Sequence, residues 1–248
     1  GALFAFFDKH LRVSGQRRIL ISDHGPRGEI VLMNWPSGQE LARFPNGRGH
    51  DVQPLPNGNV LYTIGPEHKV VEVDGAGKRV WECCDGLDHP LSAQRLGNGN
   101  TLIGDARLGK VIEVDRSGRT VWQYASEDIA NMRMRNSKRT AAGTTLISVE
   151  GAAKVIEVDK SGQIIWQWQA PGDLSKRRLY QAWRLPNGNT RMSISDPGEL
   201  VEVNPKGEVV RSIGGTKMDI QMGWTSGHDQ FPNGNLLISR SEERRVGK

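Results

Sequence analysis

An internal repeat constrains this chain more than any other feature. Leu55-Pro56-Asn57-Gly58-Asn59 returns as Leu96-Gly97-Asn98-Gly99-Asn100, Leu185-Pro186-Asn187-Gly188-Asn189 and Phe231-Pro232-Asn233-Gly234-Asn235, with a degenerate copy around Ala142-Gly143. From Asn57 through Asn98, Ala142, Asn187 and Asn233 the spacings are 41, 44, 45 and 46 residues. A second marker, Val-Glu-Val-Asp or a near match, ends at Asp74, Asp115, Asp159 and Asn204, always 17 residues after the first. A third, Trp81, Trp122, Trp166 and then Arg211, follows seven residues later. All length variation therefore falls between the third marker and the next copy of the first.

Each unit reads as four short strands. Asn-Gly between two apolar runs predicts a hairpin with a two-residue turn and positive φ at both central residues. Val111 to Asp115 alternates with period two, Asp115-Arg116-Ser117-Gly118 supplies the next turn, and Thr120-Val121-Trp122-Gln123 is the fourth strand. One such sheet alone leaves both faces wet, whereas copies stacked around an axis cover one another, so the expected fold is an all-β propeller of four-stranded blades. A right-handed β-helix has shorter rungs and no hairpin turns. The blades fall near residues 18–45, 50–84, 89–125, 132–170, 178–214 and 224–239, the last truncated. The intact protein is counted as six-bladed, with seven as the alternative. Residues 1–17 read as a trimmed remnant or a closing strand. Residues 240–248 share no pattern with the chain upstream, resemble translated adapter sequence, and are expected not to be native.

Composition narrows the function classes. The 30 Gly and 12 Pro of this 248-residue chain sit in short clusters between strands, as a turn inventory does and a disordered tract does not. No stretch approaches the roughly 18 consecutive apolar residues of a membrane span. The two cysteines, Cys83 and Cys84, are adjacent. That excludes a disulfide framework and a Cys-rich zinc site, and leaves two independent thiols or a redox-switched ring. The formal charge of +5 is modest, no long basic run occurs, and aromatic residues are scarce among the cationic clusters, so nucleic acid is not an expected partner.

Strand alternation sends the Asn-Gly and Asp-x-x-Gly turns to one end of the ring. The other end receives the second-to-third-strand loops and the variable linkers, which can host chemistry without disturbing the scaffold. The linker end is expected to carry His50, Asp51, His89, Arg133, Arg135, Lys138, Arg139, Lys176, Arg177, Arg178, Tyr180, His228 and Asp229. Asp23, with His24 beside it, Asp105, Glu150 and Asp196 end second strands and form an acidic ring, read either as acceptors for backbone N–H groups or as ligand contacts. His50 and His228 share a Gly-His-Asp context but lie seven and five residues before their markers, out of register. A histidine at a channel mouth can be a base, a nucleophile or a structural donor. Guanidinium groups at 133–139 and 176–178 suit a sulfate, phosphate or carboxylate. The tryptophans read as packing between blades.

His50-Asp51-Val52-Gln53-Pro54-Leu55-Pro56-Asn57-Gly58-Asn59, with Val71-Glu72-Val73-Asp74 and Trp81, resembles the repeat of bacterial arylsulfotransferase-like six-bladed propellers. It is also similar to pyrroloquinoline-quinone-type repeats, whose Asp, Gly and Trp spacing is echoed by Asp115, Gly118 and Trp122. The likeness covers about residues 18–239. The first resemblance implies sulfuryl transfer between phenols through a histidine, here His50, with Arg135 or Arg139 stabilising charge, and a periplasmic or extracellular location. The quinoprotein dehydrogenases have eight blades, longer chains and a Thr before the turn Gly that is absent here, so no cofactor is expected and the quinone least of all. The first expectation is a propeller binding a small anionic molecule or a protein partner on its linker face. The sulfuryl-transfer enzyme is the second, and a non-catalytic interaction scaffold the third.

Overall fold

The computed structural model describes residues 3–7, 17–23, 28–45, 49–215, 222–231 and 234–241. Its strands form six antiparallel sheets in chain order. The first holds β1 (Leu3–Phe7), β2 (Arg17–Asp23), β3 (Glu29–Trp35) and β4 (Glu40–Pro45), and the second β5 (Val52–Pro54), β6 (Val60–Ile64), β7 (Lys69–Val73) and β8 (Arg79–Cys83). The third has β9 (Pro90–Arg95), β10 (Thr101–Asp105), β11 (Lys110–Val114) and β12 (Thr120–Ala125). A short helix, α1 (Glu127–Asn131), leads to β13 (Met134–Arg139), β14 (Thr145–Val149), β15 (Lys154–Val158) and β16 (Ile164–Gln169). The fifth comprises β17 (Arg178–Arg184), β18 (Thr190–Ser195), β19 (Glu199–Val203) and β20 (Val209–Gly214), and the sixth β21 (Trp224–Gln230) and β22 (Leu236–Ser241).

The first strand of each sheet packs against the first strand of the next, and β21 packs back on β1. The inner strands thus close a ring around an axis, and the fold is a β-propeller with five four-stranded blades. The segment read as a remnant or closing strand supplies β1, which pairs with β2. β22 runs through Arg240 and Ser241, two residues beyond the expected end of the native pattern. His24 and residues 242–248 lie outside the described residues.

The hairpins differ from expectation in one respect. Gly58 has φ +86 and Gly99 and Gly188 have φ +88 and +85, while the asparagines before them keep negative φ. The Gly58 N–H donates to the Leu55 carbonyl (3.0 Å) and the Leu55 N–H to the Asn59 carbonyl (2.8 Å). Each connection is therefore a type I turn closed by a left-handed glycine, and not a two-residue turn with two positive φ values. Pro56 and Pro186 suit the first central position, where proline fixes the negative φ of a type I turn, and Gly97 holds the same turn without one. Asn57 Oδ1 accepts the Asn59 N–H at 3.1 Å and locks the loop.

Apolar clusters lie between successive sheets and not in one central core. Leu20, Ile30 and Phe44 meet Val52 and Tyr62 between the first and second sheets; Leu61 and Val70 meet Ala93 and Ile103 between the second and third. Leu102 and Val111 meet Met134 and Ile147 across the third seam, and Leu146 and Val155 meet Ala182 and Met192 across the fourth. A polar staple repeats beside them. In the second sheet Glu72 lies opposite Leu61 on β6 and Trp81 on β8. Its carboxylate accepts from Asn59 Nδ2 (2.7 Å), from Arg116 Nη1 (2.8 Å) and from Arg95 Nη2 (2.8 Å) of the next sheet. Arg95 also donates to its own turn at Gly99 O (3.0 Å) and stacks 4.6 Å from the Trp81 ring. Trp81 Nε1 in turn donates to Arg116 O at 3.0 Å. Arg139 repeats this with Glu113, Gly143 and Trp122, and Arg184 with Glu157, Gly188 and Trp166. The tryptophans are thus packing residues between blades.

Arg139→Ala should leave the Glu113 carboxylate without its ionic partner and the Trp122 face bare. We expect a loss of about 3 kcal/mol in urea unfolding, matched by Arg184→Ala, because removing one member of a sequestered pair strands the other.

Candidate functional site at the linker end of the channel

At the linker end the polar side chains follow one another around the mouth of the channel. The His50 ring lies 6.1 Å from that of His89 in an edge-on arrangement. Arg133 Nε is 3.6 Å and Arg135 Nε 4.0 Å from Glu150 Oε2. The Arg135 guanidinium sits 5.2 Å from the Tyr180 ring, and Tyr180 packs 5.7 Å from the half-exposed indole of Trp224. Sheets two to six each contribute to this arc.

Local structure fixes these positions. Asp105, fully buried at the end of β10, accepts the N–H groups of Asp88 (2.7 Å), His89 (3.0 Å), Arg107 (3.1 Å) and Leu108 (3.0 Å). It holds the linker into β9 against the β10–β11 loop, so the acceptor reading of the acidic ring applies to Asp105, with donors from its own blade. The His89 imidazole lies against Gly65, where a Cβ would approach its Cε1 to 2.9 Å. His50 and Asp51 donate their N–H groups to Thr63 Oγ1 at 3.0 and 3.2 Å. Arg133 adopts φ +58 and its carbonyl accepts the Glu150 N–H at 2.9 Å, which joins the linker after α1 to the β14–β15 loop.

Electrostatics follow from this packing. Burial, then the nearby charges of Arg107 and Arg133, push His89 below its ordinary pKa, against the opposing pull of Asp105 and Asp88. Burial, with the Glu150 charge behind it, pushes the Tyr180 hydroxyl up to about 12, so it remains a proton donor. Arg135 is only 12% exposed, and burial lowers its pKa while Glu150 works the other way. Among the described residues nothing accepts a hydrogen bond from its guanidinium; its neighbours are the Tyr180 face and a carboxylate 4.0 Å away. A guanidinium presents five N–H donors in a planar fork, a geometry suited to an anion's oxygens.

Other expected site residues do not join this arc. Asp51 is buried as a brace, with Oδ2 accepting from the Ala93 N–H (3.1 Å) and from Lys138 Nζ (2.8 Å), so this carboxylate links the second, third and fourth sheets. Arg139 belongs to the Asn-Gly end, committed to Glu113 and Gly143 O, which corrects its placement beside the transferring group. It lies five residues after Met134 on one strand, and that length carries it across the sheet. Arg178 Nη1 caps its own loop through the carbonyls of Ser175 (3.1 Å) and Arg177 (2.8 Å). Arg177 pairs with Glu199 at 2.7 Å, and Lys176 with Asp173 at 3.7 Å, both away from the mouth. His228 is 3% exposed and lies within β21 opposite Ile238, the position Val52 takes in β5, which puts it two places inward of His50. Asp229 accepts the Gln230 N–H at 2.7 Å. Asp23 and Asp196 are exposed, Asp196 with φ +51, whereas Asp105 and Glu150 are buried. A cleft of about 360 Å³ opens on the outer flank between the fourth and fifth sheets, lined by Trp168, Pro171, Glu199 and Val209 and remote from the histidines.

The sequence profile described as outer membrane protein assembly factor BamB, of the pyrroloquinoline-quinone repeat type, matches residues 26–210. The chain belongs to this family. No curated protein matches this BamB-type chain. Among solved structures it is similar to a protein of unknown function from Bacteroides caccae, at 17% identity and a TM-score of 0.78, covering 94% of this chain and 85% of that one. It is also similar to virginiamycin B lyase from Staphylococcus aureus, at 10% identity, a TM-score of 0.66 and coverage of 97% and 85%. The WD40 propeller domain of Doa1 gives 12%, 0.69, and coverage of 90% and 72%. At these identities the likeness is one of fold.

The pyrroloquinoline-quinone repeat type raises the question of where the adjacent cysteines lie. Cys83 is buried in the apolar cluster between the second and third sheets and Cys84 is exposed at the end of an outer strand, so the adjacent pair does not face the channel. No group of three or more metal-ligating side chains occurs among the described residues. Within the BamB-type ring, sequence reasoning missed Trp224 and Arg107 at the mouth. Trp224 carried no signal because it breaks the repeat, standing at the start of an inner strand where no other unit has a tryptophan.

His89 should titrate below the ordinary 6.5 in a histidine NMR titration, and Gly65→Ala, which crowds its ring, should move that signal without unfolding the chain. Asp105→Asn should cost about 2 kcal/mol in urea, since an amide presents one acceptor atom to N–H groups that now share two.

Proposed function

We propose that this BamB-type chain is an extracytoplasmic binding propeller, six-bladed when intact, that receives an anionic group at the linker-end mouth of its channel. The observation that carries the reading is the sequestered Arg135 guanidinium, whose donors find no hydrogen-bond acceptor among the described residues, with the Glu150 carboxylate 4.0 Å away. Arg133 and the Tyr180 hydroxyl flank it as further donors, and Trp224 offers an apolar wall for whatever body the anion is attached to. The family's description as an assembly factor favours a carboxylate borne by a protein partner over a free small molecule. A scaffold without converging polar groups fits this mouth less well. Calorimetric titration with sulfate and with acetate tests the reading: Arg135→Gln should weaken binding by about tenfold or more, the worth of a charge-assisted pair. Arg119→Gln, at the opposite end, should change nothing. Equal binding by the Arg135 variant and the native protein would reject it.

The adjacency of His50 and His89 favours a second reading, sulfuryl transfer. His50 would attack the sulfur of an aryl sulfate, expelling the phenolate, and the sulfuryl group would then pass to an acceptor phenol with return of the histidine. Arg133 and Arg135, not Arg139, would stabilise the charge. Turnover of an aryl sulfate with a phenol acceptor that disappears in His50→Ala would support it, and its absence in the native protein would leave the binding propeller. No quinone enters either reading.

A further inference from the structure

We propose that the ring opens at the seam between its fifth and sixth sheets, the β21–β22 hairpin parting from β17 and β18 while the other seams stay closed. Register makes the comparison direct. On the second strand of sheets two, three and four, the residue opposite the staple glutamate is Leu61, Leu102 and Leu146; on the fifth it is Arg191, opposite Glu202. Opposite the same glutamate on the fourth strand stand Trp81, Trp122 and Trp166, then Arg211. The facing inner strand offers Ala93, Ser137 and Ala182 at one position, then His228; at the next but one it offers Arg95, Arg139 and Arg184, then Gln230. Four coordinated changes thus fall on one seam.

Their physical effect runs in one direction. The leucine that anchors each earlier cluster is replaced by a buried guanidinium, held by Gln230 Oε1 (3.0 Å) and Glu202 Oε2 (3.4 Å). Where small residues close the other seams, the His228 ring is buried with neither nitrogen hydrogen-bonded, a deficit on the order of 1–3 kcal/mol per group. The staple that joins the second, third, fourth and fifth sheets to one another has lost its tryptophan and its cross-seam arginine here. Among the described residues the apolar clusters join the first five sheets in sequence and none spans the fifth and sixth. What holds the hairpin includes the His228 N–H, donated to Gln181 Oε1 at 2.8 Å.

The imidazole also gives the seam a dependence on acidity. Its charged neighbours are Arg191 on β18 and, beyond it, Glu202 on β19; β17 presents the uncharged Gln181 and β22 the apolar Ile238. Burial, then the Arg191 charge, lowers the His228 pKa to about 3 from an ordinary 6.5. Between those values the opened seam takes up a proton that the closed seam refuses. Closure is therefore strongest above pH 6.5 and weakens as the pH falls. Glu202 and Glu72 are both held below their ordinary range by hydrogen bonds against burial, so the carboxylate contribution is shared with the second seam; a depressed imidazole, His89, also lies just ahead of β9, whereas the fourth sheet carries no histidine.

Amide hydrogen exchange read by mass spectrometry on the full chain tests the proposal. At pH 7, β21–β22 should exchange about tenfold or more faster than β9–β10, equivalent to about 1.4 kcal/mol. In Arg191→Leu/His228→Ala/Gln230→Arg, which installs the counterparts of Leu146, Ala182 and Arg184 at the fourth-to-fifth seam and keeps Glu202 paired, that difference should shrink several-fold. Equal rates in the native chain overturn the proposal, as does a fast hairpin that the triple variant leaves unchanged, which would be end fraying. Should the variant not fold, the native chain decides alone: lowering the pH from 7 to 4.5 must speed β21–β22 relative to the histidine-free β13–β14, and parallel behaviour overturns the idea.

Discussion

The ring rests on a carboxylate between blades. A buried glutamate is costly to desolvate, and in this protein each staple glutamate recovers that cost only when the next sheet delivers its arginine. Glu72 needs Arg95, Glu113 needs Arg139 and Glu157 needs Arg184. The arginine is held flat on a tryptophan whose indole N–H reaches the following turn, so strand, turn and neighbour are fixed together. No single sheet satisfies these groups, which is why the unit of stability is the seam.

This arrangement divides the molecule into two ends. The turns at one end are uniform because in the third, fourth and fifth sheets the first turn supplies a carbonyl to an arginine and the second a carbonyl to an indole, and a longer loop would lose it. The other end carries no such obligation. Linkers there vary in length, α1 is accommodated, and His50, His89, Arg133, Arg135, Tyr180 and Trp224 gather. Lys138 and Asp51 lie deeper, spanning the third sheet through a 2.8 Å ion pair that stiffens the channel wall beneath the mouth.

Legibility in the sequence tracked how local each constraint is. The strands and their order were readable because three markers at fixed spacing leave one register for each hairpin. The turn at Asn57 differs from the expected two-residue type because the second Asn of Asn-Gly-Asn completes a longer loop, its carbonyl accepting the Leu55 N–H, as it also does at Asn100 where no proline precedes the pair. Arg135 and Arg139 looked equivalent, four residues apart in one basic stretch, yet the strand carries one to each end of the ring. His50 and His228 shared a triplet and differ by two positions, enough to separate the mouth from a buried seam. The departures at Arg191, Arg211, His228 and Gln230 were all visible as letters, but only pairing shows that they meet.

The sequence by itself determined the repeated sheet, the propeller and the end at which variation is allowed, because period and turn chemistry act within some forty residues. Tertiary structure alone decided which charges are spent on holding the ring and which face its channel. That choice depends on neighbours a whole blade away, through distances that no spacing along the chain encodes.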